Sequence, residues 1–249
     1  MDFLANYFGS LNPMSFLSAL PGNIAQGIIW GLMGLGVFLT FKLLNFADLS
    51  VDGSFATGGA VTAVMLINGC PVWATIIVAI LAGLAAGLVT GLLHTLLGIP
   101  DILAGILTQI ALYSINLNIM GKSNLPISYR NYTLVVSASN INMAILVGLG
   151  ICAVVIAAMY WYFGTEQGST IRSTGSNPAM SKAQGININF TKVIALALSN
   201  GLVALSGSLF AQYQGFADIN MGRGAIVIGL AAVIIGEVLG EAIFRKHMN

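Results

Sequence analysis

Two carboxylates four residues apart, Asp48 and Asp52, lie in the decapeptide Asn45-Phe46-Ala47-Asp48-Leu49-Ser50-Val51-Asp52-Gly53-Ser54, between two hydrophobic runs each long enough to cross a membrane. A carboxylate at bilayer depth costs roughly 2.5–3.5 kcal/mol on insertion scales, so both groups belong at an aqueous edge or along a cavity. Two chemistries fit. Asp48 or Ser50 can cap a helix that starts near Val51, with Asp52 in its first turn at the positive end of the dipole. Alternatively, the decapeptide interrupts a membrane span, and such breaks are tolerated only inside protein or beside a water-filled path. On that reading Asn45, Asp48, Ser50, Asp52 and Ser54 line a translocation pathway. Further on, Gln109, Tyr113 and Asn116 recur at i, i+4, i+7 on one helical face. Polar groups in lipid need partners, so this face turns inward, as interhelical hydrogen bonding or as pathway lining. Asn200 is a further buried polar candidate.

Other chemistry finds little support. The chain has 57% hydrophobic and only 7% charged residues, against roughly 25% charged in soluble domains, which marks a membrane protein. A net charge of +1 without clustered Lys and Arg gives no basis for nucleic-acid binding. Cys70, Cys152 and the isolated His94 lack metal-ligand spacing, so no metal site is expected. No nucleophile is accompanied by a base and an orienting group, so no catalytic residue is assigned. The phosphate-loop pattern of ATPases is absent, and any ATP must be handled by another chain.

The elements that would position these groups are hydrophobic runs. Residues 3–20 are broken by Asn12-Pro13 and ended by Pro21-Gly22, which fits an interfacial helix. Spans are then expected over Ile24–Phe41, Val51–Ile67, Trp73–Leu97, Ile102–Met120, Met143–Phe163, Val193–Tyr213 and Ala225–Phe244. Gly27, Gly31 and Gly34 in the first, and Gly83, Gly87 and Gly91 in the third, form small-residue stripes suited to close helix packing. The fold class is therefore all-α: a polytopic transmembrane bundle of about seven spans, the second broken, forming one domain over 1–249. With the N-terminus outside, Lys42, Arg172, Lys182, Lys192, Arg245 and Lys246 fall inside against Lys122, Arg130 and Arg223 outside, which obeys the positive-inside rule. The polar segment of about 164–192 is then cytoplasmic.

Phe46-Ala47-Asp48-Leu49-Ser50 after the first span is similar to Phe216-Ala217-Asp218-Ile219-Asn220 after the sixth. Because those spans run in opposite senses, the two copies would form an inverted repeat, a common plan in transporters. An ion-coupled secondary transporter with Asp48 and Asp52 as coupling groups is one reading of these features, and a passive channel is another.

The cytoplasmic segment carries the most specific pattern: Arg172-Ser173-Thr174-Gly175-Ser176-Asn177-Pro178-Ala179-Met180-Ser181-Lys182-Ala183-Gln184-Gly185-Ile186-Asn187. Pro178 can start a short helix capped by Asn177, and Gly185 can end it. This run resembles the coupling loop of ABC importer permeases of the branched-chain amino acid and ribose class, and Asn45 to Gly59 is similar to the same class. The chain looks nearest to permeases paired with lipoprotein receptors and proposed to import tryptophan or tyrosine. The resemblance implies a permease in the cell membrane, working as a homodimer with a cytoplasmic ATPase dimer that binds ATP and Mg. It also implies a substrate-binding protein or lipoprotein outside. ATPase coupling would fall to Arg172, Thr174, Gly175, Asn177, Pro178, Ala179, Ala183 and Gly185, and Asn200 would join the pathway residues. Members of the class usually continue with at least one further span, so a shortened second repeat is expected.

Overall fold

The computed structural model of the chain describes residues 13–127 and 134–244; Arg130 and Arg245 to His247 lie outside them, as do residues 3–12 of the expected interfacial helix. The bundle is organised around α8 (Ile188–Gln214), against which α1 (Pro13–Val37), α2 (Val51–Ile67) and α3 (Val72–Leu97) all pack. Small residues let three helices crowd one. A Cβ added to Gly58 of α2 would overlap the backbone of Ala204, and one on Gly83 or Gly87 of α3 would overlap α8 at Asn200 or Leu196. Such close approach is what small-residue stripes provide where lipid removes the hydrophobic drive for association.

Hydroxyls fix the register. On α8, Ser206 and Ser199 donate to the carbonyls of Ile29 and Gly36, each at 2.7 Å, and Tyr213 donates to Gly22 at 2.9 Å, so α1 runs antiparallel to α8. In α2, Thr62 donates to Ser208 at 2.7 Å, and α2 climbs in the same direction as α8. Trp30, Phe55 and Phe210 fill the centre between these three helices, with ring centroids 5.2–5.5 Å apart. Outside this core stand α4 (Asp101–Met120), α5 (Ile141–Phe163) and α9 (Ala225–Phe244), whose outer faces present Leu, Ile and Val side chains to the surroundings.

Among the described residues six helices are long and apolar enough to cross a membrane, against about seven spans expected. The exception is α2. Its 17 residues cover about 25 Å at 1.5 Å per residue, short of a hydrocarbon core of roughly 30 Å. Irregular chain from Leu44 to Ser50 precedes α2, so the break expected in the second span is present. α1 also differs from expectation. It runs through Pro21 instead of stopping there, then continues as a π-helical turn over Phe38–Leu43. Membrane helices tolerate internal proline, and the Tyr213 hydroxyl holds the same turn to α8 by donating to the Gly22 carbonyl. Among the described residues nothing packs on the Gly27, Gly31, Gly34 stripe: a Cβ at any of them would have open space.

A two-stranded antiparallel ribbon was not anticipated. β1 (Asn124–Pro126) pairs with β2 (Phe216–Asp218), Leu125 opposite Ala217, and closes the outer end of the bundle. Two short helices, α6 (Glu166–Ser176) and α7 (Pro178–Ala183), project from the opposite end. The two Phe-Ala-Asp segments therefore differ in backbone, one irregular and one a strand. Both aspartates nevertheless accept the backbone N–H two residues on, Ser50 to Asp48 at 2.9 Å and Asn220 to Asp218 at 2.7 Å. The helices that follow are inverted: α2 climbs alongside α8, whereas α9 descends along α1, from Gly229 beside Val37 to Glu237, which pairs with Lys42 at 2.6 Å.

Candidate functional site

Asn200 stands close to the midpoint of α8, and the interrupted segment meets it there. Its Nδ2 donates to Asp48 Oδ2 at 2.7 Å and to the Leu196 carbonyl at 3.0 Å. Its Oδ1 accepts from the hydroxyls of Ser54 at 2.5 Å and Ser50 at 3.2 Å. The Ser50 backbone N–H and hydroxyl both donate to Asp48 Oδ1. All four side chains are buried, at 2% exposure or less. Halfway along a crossing helix, non-helical backbone survives only inside protein or beside a water-filled path, and this closed network places it inside protein. Of the expected pathway residues, Asp48, Ser50, Ser54 and Asn200 thus lie together in one buried hydrogen-bonded junction. No α2 cap hydrogen bond comes from the Ser50 side chain. Asn45 is placed elsewhere again: it takes a left-handed φ of 54° at the turn after the π-helical segment, a conformation Asn adopts more readily than most residues.

Asp52 leaves the junction and faces α9. Its carboxylate accepts from the backbone N–H of Gly224 at 3.0 Å and Ile226 at 2.9 Å, thereby capping a helix from 172 residues away. Local sequence explains the need, since Gly224, with φ of +78°, precedes α9 and has no side chain to cap it. The N-termini of α2 and α9 accordingly converge on one carboxylate.

Beside that convergence is a cavity of about 270 Å³ between α2, α4 and the segment before α9, lined by Asp52, Gln109, Tyr113, Asn116 and Arg223 with Gly53, Ala56, Ile110 and Ile219. The polar face of α4 was legible from its spacing, and the structure sets it opposite Asp52. Arg223 was not singled out; the available signal was an arginine within Met221-Gly222-Arg223-Gly224, directly after the second Phe-Ala-Asp copy. Asn116 is fully buried, and neither its oxygen nor its nitrogen has a hydrogen-bond partner. The arrangement offers an acid, a base, two amides and a phenol to a small polar solute. Among the described residues no group of His, Cys, Asp or Glu could hold a metal ion.

At the end of the bundle that carries α6 and α7, Asn177 accepts from Met180 N–H at 3.0 Å, Pro178 opens α7, and Gly185 follows it with φ of +84°, as the sequence predicts. The expected coupling residues divide into two groups. Arg172 ties α6 back to the carbonyl of Phe163 at 2.9 Å, Thr174 is buried, and Gly175 presses on the Leu43 carbonyl at the end of α1. Asn177, Pro178, Ala179, Ala183 and Gly185 are exposed, together with Met180, whose apolar side chain is 59% exposed on an otherwise polar loop. Nearby, His94 is a structural residue. Its Nε2 lies 3.0 Å from Lys192 Nζ and its Nδ1 lies 2.8 Å from the Ile99 carbonyl, linking α3 to the start of α8.

A bundle with an interrupted span, converging helix N-termini and a polar cavity defines a polytopic membrane transporter. Comparison with known proteins narrows this. The family model described as branched-chain amino acid transport system / permease component matches residues 22–243. The chain is 45% identical over 224 residues to a tyrosine transport system permease protein of Clostridioides difficile (strain R20291), covering 90% of this chain and 74% of that one. It is 28% identical over 234 residues to the D-allose transport system permease protein of Escherichia coli (strain K12), covering 92% and 71%. An autoinducer 2 import system permease protein of Enterobacter sp. (strain 638) is also 28% identical, over 236 residues, covering 92% and 66%. No solved structure matches. The chain belongs to the family of branched-chain amino acid transport system permease components, and is a multi-pass protein of the cell membrane.

Proposed function

We propose that this chain is the membrane subunit of an ATP-driven importer of amino acids, in which two copies enclose the pathway and a separate ATPase dimer binds ATP and Mg. A binding protein or lipoprotein outside the membrane delivers the substrate. The observation that carries the reading is mechanical. The exposed helix α7 is joined through the single elbow residue Asn177 to α6, and α6 bears at Gly175 directly on Leu43, where the interrupted segment begins. Motion imposed on α7 therefore reaches the junction at Asp48 and Asn200 through packed backbone. Met180, Pro178 and Ala179 give an ATPase a small apolar contact surface, and the capped, rigid helix prevents the push from being lost in loop bending. Family membership and the relative named for tyrosine transport support amino acids as cargo.

Scrambling residues 176–185, which lie outside the spans, is expected to leave the protein inserted and monodisperse. In proteoliposomes with the partner ATPase it should reduce uptake to the level seen without ATP while ATP hydrolysis persists. Full uptake by the scrambled protein would remove α7 from the coupling path.

A further inference from the structure

We propose that the cavity between α2, α4 and the residues before α9 is a binding site for the α-ammonium and α-carboxylate of an amino-acid zwitterion, with Arg223 taking the carboxylate and Asp52 the ammonium. The inference rests on the importer reading and assigns the substrate-recognising groups within it. Its starting point is Asn116, fully buried on the cavity wall with both amide atoms unpartnered. Leaving a buried donor and a buried acceptor unmade is costly, which points to a ligand that supplies both a donor and an acceptor. A zwitterion does so: its ammonium donates to Asn116 Oδ1 and its carboxylate accepts from Nδ2.

The charges on the same wall agree. The Arg223 guanidinium has no acceptor among the described residues, and the Lys42 and Glu237 pair lies elsewhere. Its planar donor fork matches a carboxylate. Asp52 is already oriented by two N–H bonds from α9, one to each oxygen, and each oxygen keeps lone-pair capacity for a cation. Tyr113, 42% exposed, and Ile110 offer the remainder of the ligand an aromatic and an aliphatic surface. At about 270 Å³ the cavity is just below the roughly 300–1,000 Å³ typical of drug-sized ligands, a scale suited to a single small solute. A neutral sugar would use the amides and leave both charges without counter-charge.

The test uses the full chain in nanodiscs, with Cys70→Ser and Cys152→Ser to remove background thiols and Gln109→Cys as a reporter in the cavity wall. Labelling by a hydrophilic methanethiosulfonate reagent is measured against increasing L-tyrosine, tyramine, N-acetyl-L-tyrosine or D-allose. Protection by L-tyrosine alone is expected. Arg223→Gln should raise the half-protecting concentration about ten- to a hundred-fold, as loss of a charge-assisted pair implies, and Arg223→Lys should recover part of it. Asn116→Leu should weaken protection as well, with unchanged elution on size exclusion. Equal protection by tyramine or D-allose would overturn the assignment, and so would a reporter that never labels, or labelling that no zwitterion slows. ATP-driven uptake is measured separately on the reporter-free protein. Intact uptake without protection defeats this site alone, whereas protection without ATP-dependent uptake defeats the importer reading and leaves the site standing.

Discussion

Gly58→Leu is expected to leave no monodisperse protein after detergent extraction, while Gly31→Leu remains folded with a thermal midpoint close to that of the unmodified chain. Both glycines belong to apolar helices; what differs is the neighbour. A Cβ at Gly58 would overlap the oxygen, carbonyl carbon and Cα of Ala204, and rigid backbone cannot yield as a flexible side chain would. Overpacking alone costs about 1–3 kcal/mol and occasionally more. Here it adds to a second loss, because Ser54 and Thr62 lie one turn to either side of Gly58 on the same face. Their bonds to Asn200 and Ser208 must break if α2 is pushed from α8. Those losses fall on a protein whose total stability is on the order of 5–15 kcal/mol. At Gly31 the added side chain meets open space. Size exclusion and a thermal melt on both variants decide the matter, and a wild-type profile for Gly58→Leu would mean that α2 and α8 do not touch there.

That contrast shows where sequence reading succeeds. Hydrophobic length placed α3, α4, α5, α8 and α9 to within a few residues, because lipid demands an unbroken apolar helix and the sequence must supply it. The α7 elbow was legible for a similar reason: Asn-Pro followed by Gly is local chemistry that needs no tertiary partner. Stripes were half legible. Gly83, Gly87 and Gly91 and the Gly27, Gly31, Gly34 series look alike, yet only the first meets a helix among the described residues, and pairing is a tertiary property. Pro21 misled for the opposite reason, since a local breaker was accommodated by packing. The β ribbon was illegible because three-residue strands carry too little periodicity to register. At the site, the polar face of α4 and the acidic decapeptide were visible, but their roles were not. Asp48 and Asp52 look equivalent in sequence, and only the fold assigns one to a sealed junction and the other to a cavity and a distant helix.

Asp48→Leu is expected to destroy transport and folding together, whereas Asp48→Asn keeps substantial ATP-dependent uptake. Leucine removes the acceptor for the Ser50 N–H and for one Asn200 Nδ2 hydrogen, which are then buried at the break in the span, and leaves the Ser50 hydroxyl only its longer contact with Asn200 Oδ1. Each orphaned donor costs about 1–3 kcal/mol. Asparagine retains one oxygen for Ser50. Its new NH2 first opposes the NH2 of Asn200, but rotating the Asn200 amide by half a turn presents Oδ1 to it and turns Nδ2 toward the Ser54 hydroxyl, which can accept. The network closes again with the loss of the Leu196 bond and of the charge. A carrier driven by an ion gradient would respond differently, because a coupling carboxylate must change its proton or ion during each cycle and Asn cannot. Proteoliposomes holding the permease and its ATPase, with ATP supplied and no ion gradient, separate the two. Uptake by Asp48→Asn at a sizeable fraction of the unmodified rate, alongside a collapsed Asp48→Leu, makes Asp48 a structural keystone of the interrupted span. Uptake by the unmodified protein only under an ion gradient, abolished in Asp48→Asn, would make it the coupling group and displace the ATP-driven mechanism.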